Sequence, residues 1–224
     1  MKITEKFELK EGELITFVNP FSYPIIERKL TSHEIRKFKI YADGIFIVWL
    51  EKIIKRNKIE RVSFDFTSIA DDVFFHAENE NLSVAFVGTN MINLNSFSEV
   101  IQGLYPKLNI KFIREGYFLN DKEWSGSLKK ASDCDFVITG MGTPLQERFL
   151  LDLRGIGWSG TGFTCGGFMD QTAELGKDYY PKIIDKFNLR WLFRLYKEPG
   201  RLWKRYFFKY PIFIVYYIIK AVKR

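Results

Sequence analysis

The segment Gly140-Met141-Gly142-Thr143-Pro144-Leu145-Gln146-Glu147 follows the apolar run Cys134–Thr139 and opens a helical pattern. Glycines at such a junction let backbone N–H groups approach a ligand closely. The N-terminus of the helix that follows favours a phosphate. Gln146 adds a side chain able to hydrogen-bond a base or a sugar. A plain strand–turn–helix would show the same string, so the segment alone leaves both readings open. Ala42-Asp43-Gly44 also precedes a helical stretch. Asp43 is there either a helix N-cap, the commoner role, or a general base beside a cleft. Sequence physics alone favours the cap.

Two other strings carry less. Gly155-x-Gly157-x-x-Gly160 has the spacing of a dinucleotide fingerprint, but it follows a helical segment instead of a strand and reads as a loop. Asp133-Cys134-Asp135 is a DxD string, which clamps a metal–nucleotide pair in many nucleotide-sugar enzymes. It lies at the entry of a strand, whereas ligands of parallel sheets bind at strand exits. With no other carboxylate cluster nearby, no metal is expected. The two cysteines, Cys134 and Cys165, make neither a disulfide framework nor a zinc spacing.

The elements that must position these residues alternate. Leu14–Val18 reads as a strand. Ile40 to Arg56 contains Asp43 and then an apolar helical stretch. Arg61–Phe66 alternates weakly. Leu82–Val87 is a buried strand ending at Gly88-Thr89-Asn90. Asn95–Tyr105 is helical up to Pro106, and Leu108–Ile113 is another strand. Cys134–Thr139 is a third clear strand, a helix covers Gln146–Arg154, and a strand-like turn starts at Gly162–Cys165. Strands alternating with helices predict an α/β fold, a Rossmann-like, mostly parallel sheet with flanking helices.

With 224 residues, 46% of them hydrophobic, the chain can bury one substantial core. Its charge is uneven. Residues 176–224 hold 13 Lys/Arg against 3 Asp/Glu, or +10, while residues 1–175 hold 21 against 24, or −3. A division into a catalytic core over 1–175 and a basic, helical appendage over 176–224 follows. The asymmetry points the appendage at an anionic partner. Tyr210–Ile219 is apolar over only ten residues, too short for the roughly 20 that span a bilayer. A basic amphipathic segment with Trp and Tyr suits the membrane interface. The plainer alternative is a helix pair packed on the core with Lys and Arg outermost. The polar N-terminus has no apolar h-region, so no signal peptide is expected there.

These motifs together resemble the WecG/TagA/CpsF glycosyltransferases, glycosyltransferase family 26. The resemblance rests on Asn19-Pro20, Ala42-Asp43-Gly44-Ile45, Arg61-Val62-x-x-Asp65-Phe66, Gly116-Tyr117-Phe118, Gly140-x-Gly142-x-Pro144-x-Gln146-Glu147 and Gly166-Gly167-Phe168-x-Asp170. The tail adds Trp191-Leu192-x-Arg194-Leu195-x-x-Glu198-Pro199-x-Arg201-Leu202-Trp203-Lys204-Arg205-Tyr206. The Gly-Pro-Gln-Glu block and the tail are the specific ones, and the blocks span nearly the whole chain.

The resemblance implies an inverting, metal-independent hexosyltransferase with no cofactor. It would move a hexose of the N-acetylmannosamine type, or a related one, from a UDP-sugar donor to a polyprenyl-diphosphate-linked acceptor in surface polysaccharide synthesis. Asp43 would be the base, with Arg61 near the site. Asn19, Gly88, Gly140, Gly142, Gln146, Gly166, Gly167 and Asp170 would bind substrate, and Arg194, Arg201 and Arg205 would reach the diphosphates. The protein would sit peripherally on anionic lipid at the cytoplasmic face of the bacterial inner membrane, with homo-oligomers possible. Two rivals are a catalytically degenerate nucleotide-sugar-binding protein and a nucleic-acid-binding protein using the basic tail. The apolar Tyr210–Ile219 run favours lipid over nucleic acid.

Overall fold

The computed structural model describes residues 1–177, 190–197 and 199–222, with the backbone alone at 190, 191, 194, 197, 201, 202, 205, 221 and 222. The strands are β1 (Leu14–Val18), β2 (Phe38–Ala42), β3 (Ser83–Gly88), β4 (Asn109–Arg114), β5 (Phe136–Gly140) and β6 (Thr161–Thr164). The helices in chain order are α1 (Ser22–Lys29), α2 (Ser32–Arg36), α3 (Ile45–Ile54), α4 (Ala70–Asn79), α5 (Met91–Leu104), α6 (Asp121–Ala131), α7 (Leu145–Gly155), α8 (Phe168–Leu175), α9 (Arg190–Lys197), α10 (Pro199–Lys204) and α11 (Tyr210–Val222). A π-helical turn, Arg205–Lys209, joins the last two.

The six strands form one parallel sheet in the order β2-β1-β6-β5-β3-β4. Strands buried on both faces are largely apolar, as LITFV, SVAFVG and FVITG are, and the buried hydroxyls of Thr16, Ser83 and Thr139 are hydrogen-bonded. Their alternate side chains feed two cores. Ile15, Phe17, Val84, Phe86, Phe136, Ile138 and Phe163 pack with α4, α5 and α8. Leu14, Val18, Ile40, Ala85, Val87 and Val137 pack with α1, α3, α6, α7 and α11. The expected Rossmann-like architecture is therefore present, as a three-layer sandwich.

Local chemistry sets several boundaries. Asn90 and Asn120 each accept the backbone N–H three residues on, capping α5 and α6; such a cap is worth about 1 kcal/mol. Thr31 and Glu34 close a reciprocal capping box on α2. Phe168, at the start of α8, meets Phe64, Phe66 and Phe97 edge-on at 5.1–5.6 Å between centroids. Each such pair adds about 0.5–1.5 kcal/mol beyond its burial, and together they pin the turn before α8.

Three expectations shift. β5 starts at Phe136, because Asp135 is drawn to Ser83, whose N–H and hydroxyl donate to its carboxylate at 2.8 and 2.6 Å. These bonds, led by the hydroxyl's, hold the Asp135 pKa below the ordinary value despite partial burial. The DxD string thus lies at the amino edge of the sheet, as its place at a strand entry suggests. Arg61–Phe66 is not a strand, since only Arg61 bridges Ala42 before Ser63–Asp65 turns. β2, Phe38–Ala42, is not among the expected strands, and its last three residues open the stretch Ile40 to Arg56 that leads into a helix.

Candidate active site

All strands run the same way, so their carboxyl ends share one edge. The chain leaves β3 towards β4 on one side and leaves β5 towards β6 on the other. Adjacent strands whose connections diverge open a crevice between their exits, the usual ligand position in such sheets.

The crevice floor is glycine for a steric reason. A Cβ on Gly88 would lie 2.7 Å from the Gly140 carbonyl oxygen, and one on Gly116 would lie 3.1 Å from the Gly88 Cα. A Cβ on Gly140 would crowd Cys165 Sγ at 3.0 Å and the Gly166 oxygen at 3.1 Å. Gly142 and Gly166 take positive φ, 76° and 55°, and have open space beside them. Thr89, at φ 45°, donates its hydroxyl to Asp170. Asn93 Nδ2 donates to the same Asp170 oxygen at 2.9 Å. Asp170 therefore ties α8 to the β3 exit and to α5. At the β5 and β6 exits, α7 after Pro144 and α8 after Gly167 begin without a side-chain cap. Uncapped N–H groups at a helix start suit an anion.

Under the Gly140–Pro144 loop lies a buried polar network that sequence reading did not resolve. Glu147 is fully buried. Its Oε1 accepts from the Thr16 hydroxyl at 2.9 Å, from Gln146 Nε2 at 3.0 Å and from the Thr143 hydroxyl at 3.2 Å. Thr164 donates to Thr16 at 3.0 Å. Burial pushes the Glu147 carboxyl above the usual range, outweighing the bonds from Gln146 and Thr16. Gln146, only 4% exposed, keeps its Oε1 without a partner, as does Glu147 Oε2. The only sequence signal was the Gln-Glu pair behind a glycine turn.

Asp43 and Arg61 lie at the other end of this edge. Asp43 follows β2, and its N–H donates to the Val18 carbonyl at 2.8 Å. The α3 N-cap is Gly44, with no side-chain cap, so Asp43 does not perform the capping role that local sequence favours. Its half-buried carboxylate makes no hydrogen bond or ion pair among the described residues. Arg61, bridged to Ala42, donates to the Ser63 hydroxyl at 2.6 Å and pairs with Asp65 at 3.4 Å. Asn19, at the β1 exit, accepts the Phe21 and Ser22 N–H groups on its Oδ1 at 3.0 Å and so starts α1. Of the expected residues, Gly88, Gly140, Gly142, Gln146, Gly166, Gly167 and Asp170 gather at the β3, β5 and β6 exits. Asp43, Arg61 and Asn19 gather at β1 and β2. From β2 to β5 is three strand spacings, about 14 Å.

The tail closes one flank. α11 buries Tyr210, Phe213 and Tyr217. Tyr217 donates to Glu51 of α3, and Tyr216 donates to Glu27 of α1 at 2.7 Å. Outward, α11 shows Ile212, Val215 and Ile219, beside exposed Phe207 and Phe208; α3 exposes Trp49 and Ile53. The tail helix thus packs on the core, as the plainer alternative expects, but among the described residues its outer side is apolar instead of basic. Among the described residues no helix is long and apolar enough to cross a membrane. Arg194, Arg201 and Arg205 fall in α9, α10 and the π-helical turn, and their side chains lie outside the described residues, as does Glu198.

A doubly wound parallel sheet whose strand exits carry a glycine-lined crevice has the architecture of the Rossmann-like nucleotide-binding folds. The model of the glycosyl transferase WecG/TagA/CpsF family matches residues 2–224, and the chain belongs to that family. It is 36% identical over 208 residues to the UDP-Gal:alpha-D-GlcNAc-diphosphoundecaprenol beta-1,4-galactosyltransferase of Shigella boydii, covering 92% of this chain and 85% of the relative. It is 27% identical over 210 residues to the N-acetylglucosaminyldiphosphoundecaprenol N-acetyl-beta-D-mannosaminyltransferase of Bacillus spizizenii, covering 90% and 77%.

Proposed function

We propose that the protein transfers a hexose from a UDP-sugar to N-acetylglucosaminyl-diphosphoundecaprenol, with inversion and without a metal. Both relatives' names carry that acceptor, whereas their donors differ. The higher identity to the galactosyltransferase makes UDP-galactose the first donor to test. What carries the reading is the separation along one edge: a glycine crevice with uncapped helix starts at β3, β5 and β6, and an unpaired carboxylate about 14 Å away at β2.

In this reading the nucleotide diphosphate lies over the β5 and β6 exits. The N–H groups that open α7 and α8 meet the charge growing on UDP as it leaves. Asp43 takes the proton from the acceptor hydroxyl as that oxygen bonds the anomeric carbon and the carbon–oxygen bond to UDP breaks. Tail arginines suit the diphosphates, because the guanidinium fork binds two oxygens at once. Among the described residues no three His, Cys, Asp or Glu side chains gather to hold a metal. The outward apolar side of α11, with Trp49 and Ile53, rests on the membrane at its cytoplasmic face. An apolar outer surface favours lipid over nucleic acid as the tail's partner.

The test is full-length protein in detergent with EDTA, a panel of UDP-hexoses and N-acetylglucosaminyl-diphosphoundecaprenol, following UDP release and lipid-linked product. Product from one donor supports the reading and names the sugar. UDP binding without product from any donor supports a binding-only role. Product formed only when a divalent cation replaces EDTA removes the metal-free mechanism.

A further inference from the structure

Gln146 and Glu147 form an asymmetric pair. Three donors converge on Glu147 Oε1, from Thr16, Thr143 and the Gln146 amide. An oxygen already accepting two hydroxyl protons repels a carbonyl, so it is the amide nitrogen of Gln146 that faces it. That nitrogen also reaches the Thr143 hydroxyl at 3.4 Å. Both Gln146 N–H groups are thereby directed into the network. Its Oε1 is itself buried and lacks a partner, Gln146 being 4% exposed. A buried acceptor left unpaired is costly, and this one sits in the first turn of α7, directly after the crevice loop.

We propose that Glu147 is a positioning residue: it holds the Gln146 amide N–H groups in the network and so leaves Oε1 as the unpaired acceptor that a donor group of the nucleotide sugar takes up on binding. This rests on the nucleotide-sugar reading above and adds which chemistry the pocket selects. The matching group on the ligand is a donor, either the ring N–H of uracil or a hexose hydroxyl. Cytosine carries an acceptor at the ring position where uracil carries N–H, so the two nucleotides separate the sources. A site built around an unpaired acceptor rejects ligands that bring no donor.

The experiment is calorimetric titration of the full chain with UDP, CDP and UDP-hexose. It compares wild type, Glu147→Gln and Glu147→Met. Glu147→Gln retains an acceptor for the Gln146 amide and keeps the wild-type ratios. Glu147→Met removes it, so the amide turns freely. If the partner is the uracil N–H, the wild type prefers UDP to CDP at least tenfold and Glu147→Met loses that preference. If the partner is a hexose hydroxyl, Glu147→Met instead loses the extra affinity of UDP-hexose over UDP. Either loss supports the proposal. Unchanged ratios in Glu147→Met overturn it, as does an equal loss in Glu147→Gln, which would mean that charge and not orientation matters. Should Glu147→Met not fold, Glu147→Asp withdraws the acceptor by one methylene and is read the same way. A folded wild type that binds no UDP overturns the nucleotide-sugar reading itself, an outcome distinct from unchanged ratios.

Discussion

The Tyr217 hydroxyl of the last helix donates to Glu51 of α3, and the same carboxylate accepts Lys55 at 2.6 Å and Asn57 at 2.8 Å. Lys55 Nζ also donates to the Tyr217 hydroxyl at 2.8 Å. Glu51 is 1% exposed, so its partners replace all the water it loses. Tyr217→Phe removes one of them from a buried acceptor. The expected cost is about 1–3 kcal/mol, read by chemical denaturation, with faster hydrogen exchange in α11 and little change in UDP binding.

Acid should loosen the same seam. Burial pushes the Glu51 carboxyl up, but the bonds from Lys55, Tyr217 and Asn57 outweigh it and leave its pKa below the ordinary value. Glu27 behaves alike, its burial outweighed by Lys220, Tyr216 and the N-terminal charge. A depressed folded pKa means stability present above the unfolded value of about 4.3 and lost as pH falls through the folded one. The stability gap between wild type and Glu51→Gln should therefore be full at pH 7 and shrink towards pH 3.

Glu147 has the opposite sign. Its folded pKa is raised, so its contribution is complete below about 4.3 and is lost as pH rises through the folded value. Glu147→Gln cannot ionise in the unfolded chain. Its stability relative to wild type should improve from pH 4 to pH 7, measured by thermal unfolding across that range.

Asp43→Asn removes the proton acceptor and leaves the backbone bond to Val18 intact. Turnover should fall by about 10²–10⁴, the usual contribution of general base catalysis, with UDP affinity unchanged. A variant that kept wild-type turnover would place the base elsewhere.

Gly88→Ala and Gly142→Ala separate steric from conformational demands. The new Cβ at 88 meets backbone at 2.7 Å, which cannot yield without parting β3 from β5. UDP binding should be lost. At 142 there is open space but a φ of 76°. There the cost should be about 1–2 kcal/mol of stability, with weakened but measurable UDP binding.

The apolar runs of β1, β3 and β5 were legible because strands covered on both faces carry no competing pattern. β2 was not, since it is a five-residue edge strand interrupted by Lys39, which faces solvent. Helices α1, α2 and α8 escaped because they are short, at eight, five and eight residues; α4 and α6 escaped because charged and polar residues dilute their apolar stripe. The site glycines and Asp43 stand out in the sequence only through motif blocks, and in the fold they lie at strand exits. Local sequence favoured Asp43 as a cap because Asp often caps helices; Gly44 holds that position instead. The Thr16–Glu147–Gln146 network could not be read, because Thr16 lies 131 residues from Glu147 and nothing local marks the meeting.

The strand order also governs how the chain assembles. Within the sheet of described strands, β6, four residues long, joins the β1–β2 pair to the β5–β3–β4 group. Its partner Leu14 stands 148 positions before Gly162. During synthesis, at about 5–20 residues per second, the first strand pair must wait some seconds with one edge unpaired. A nascent chain halted before Thr161 would therefore hold two half-sheets with exposed apolar faces, a natural substrate for chaperones. The closing of β6 would be the late, rate-determining event expected of long-range parallel pairing.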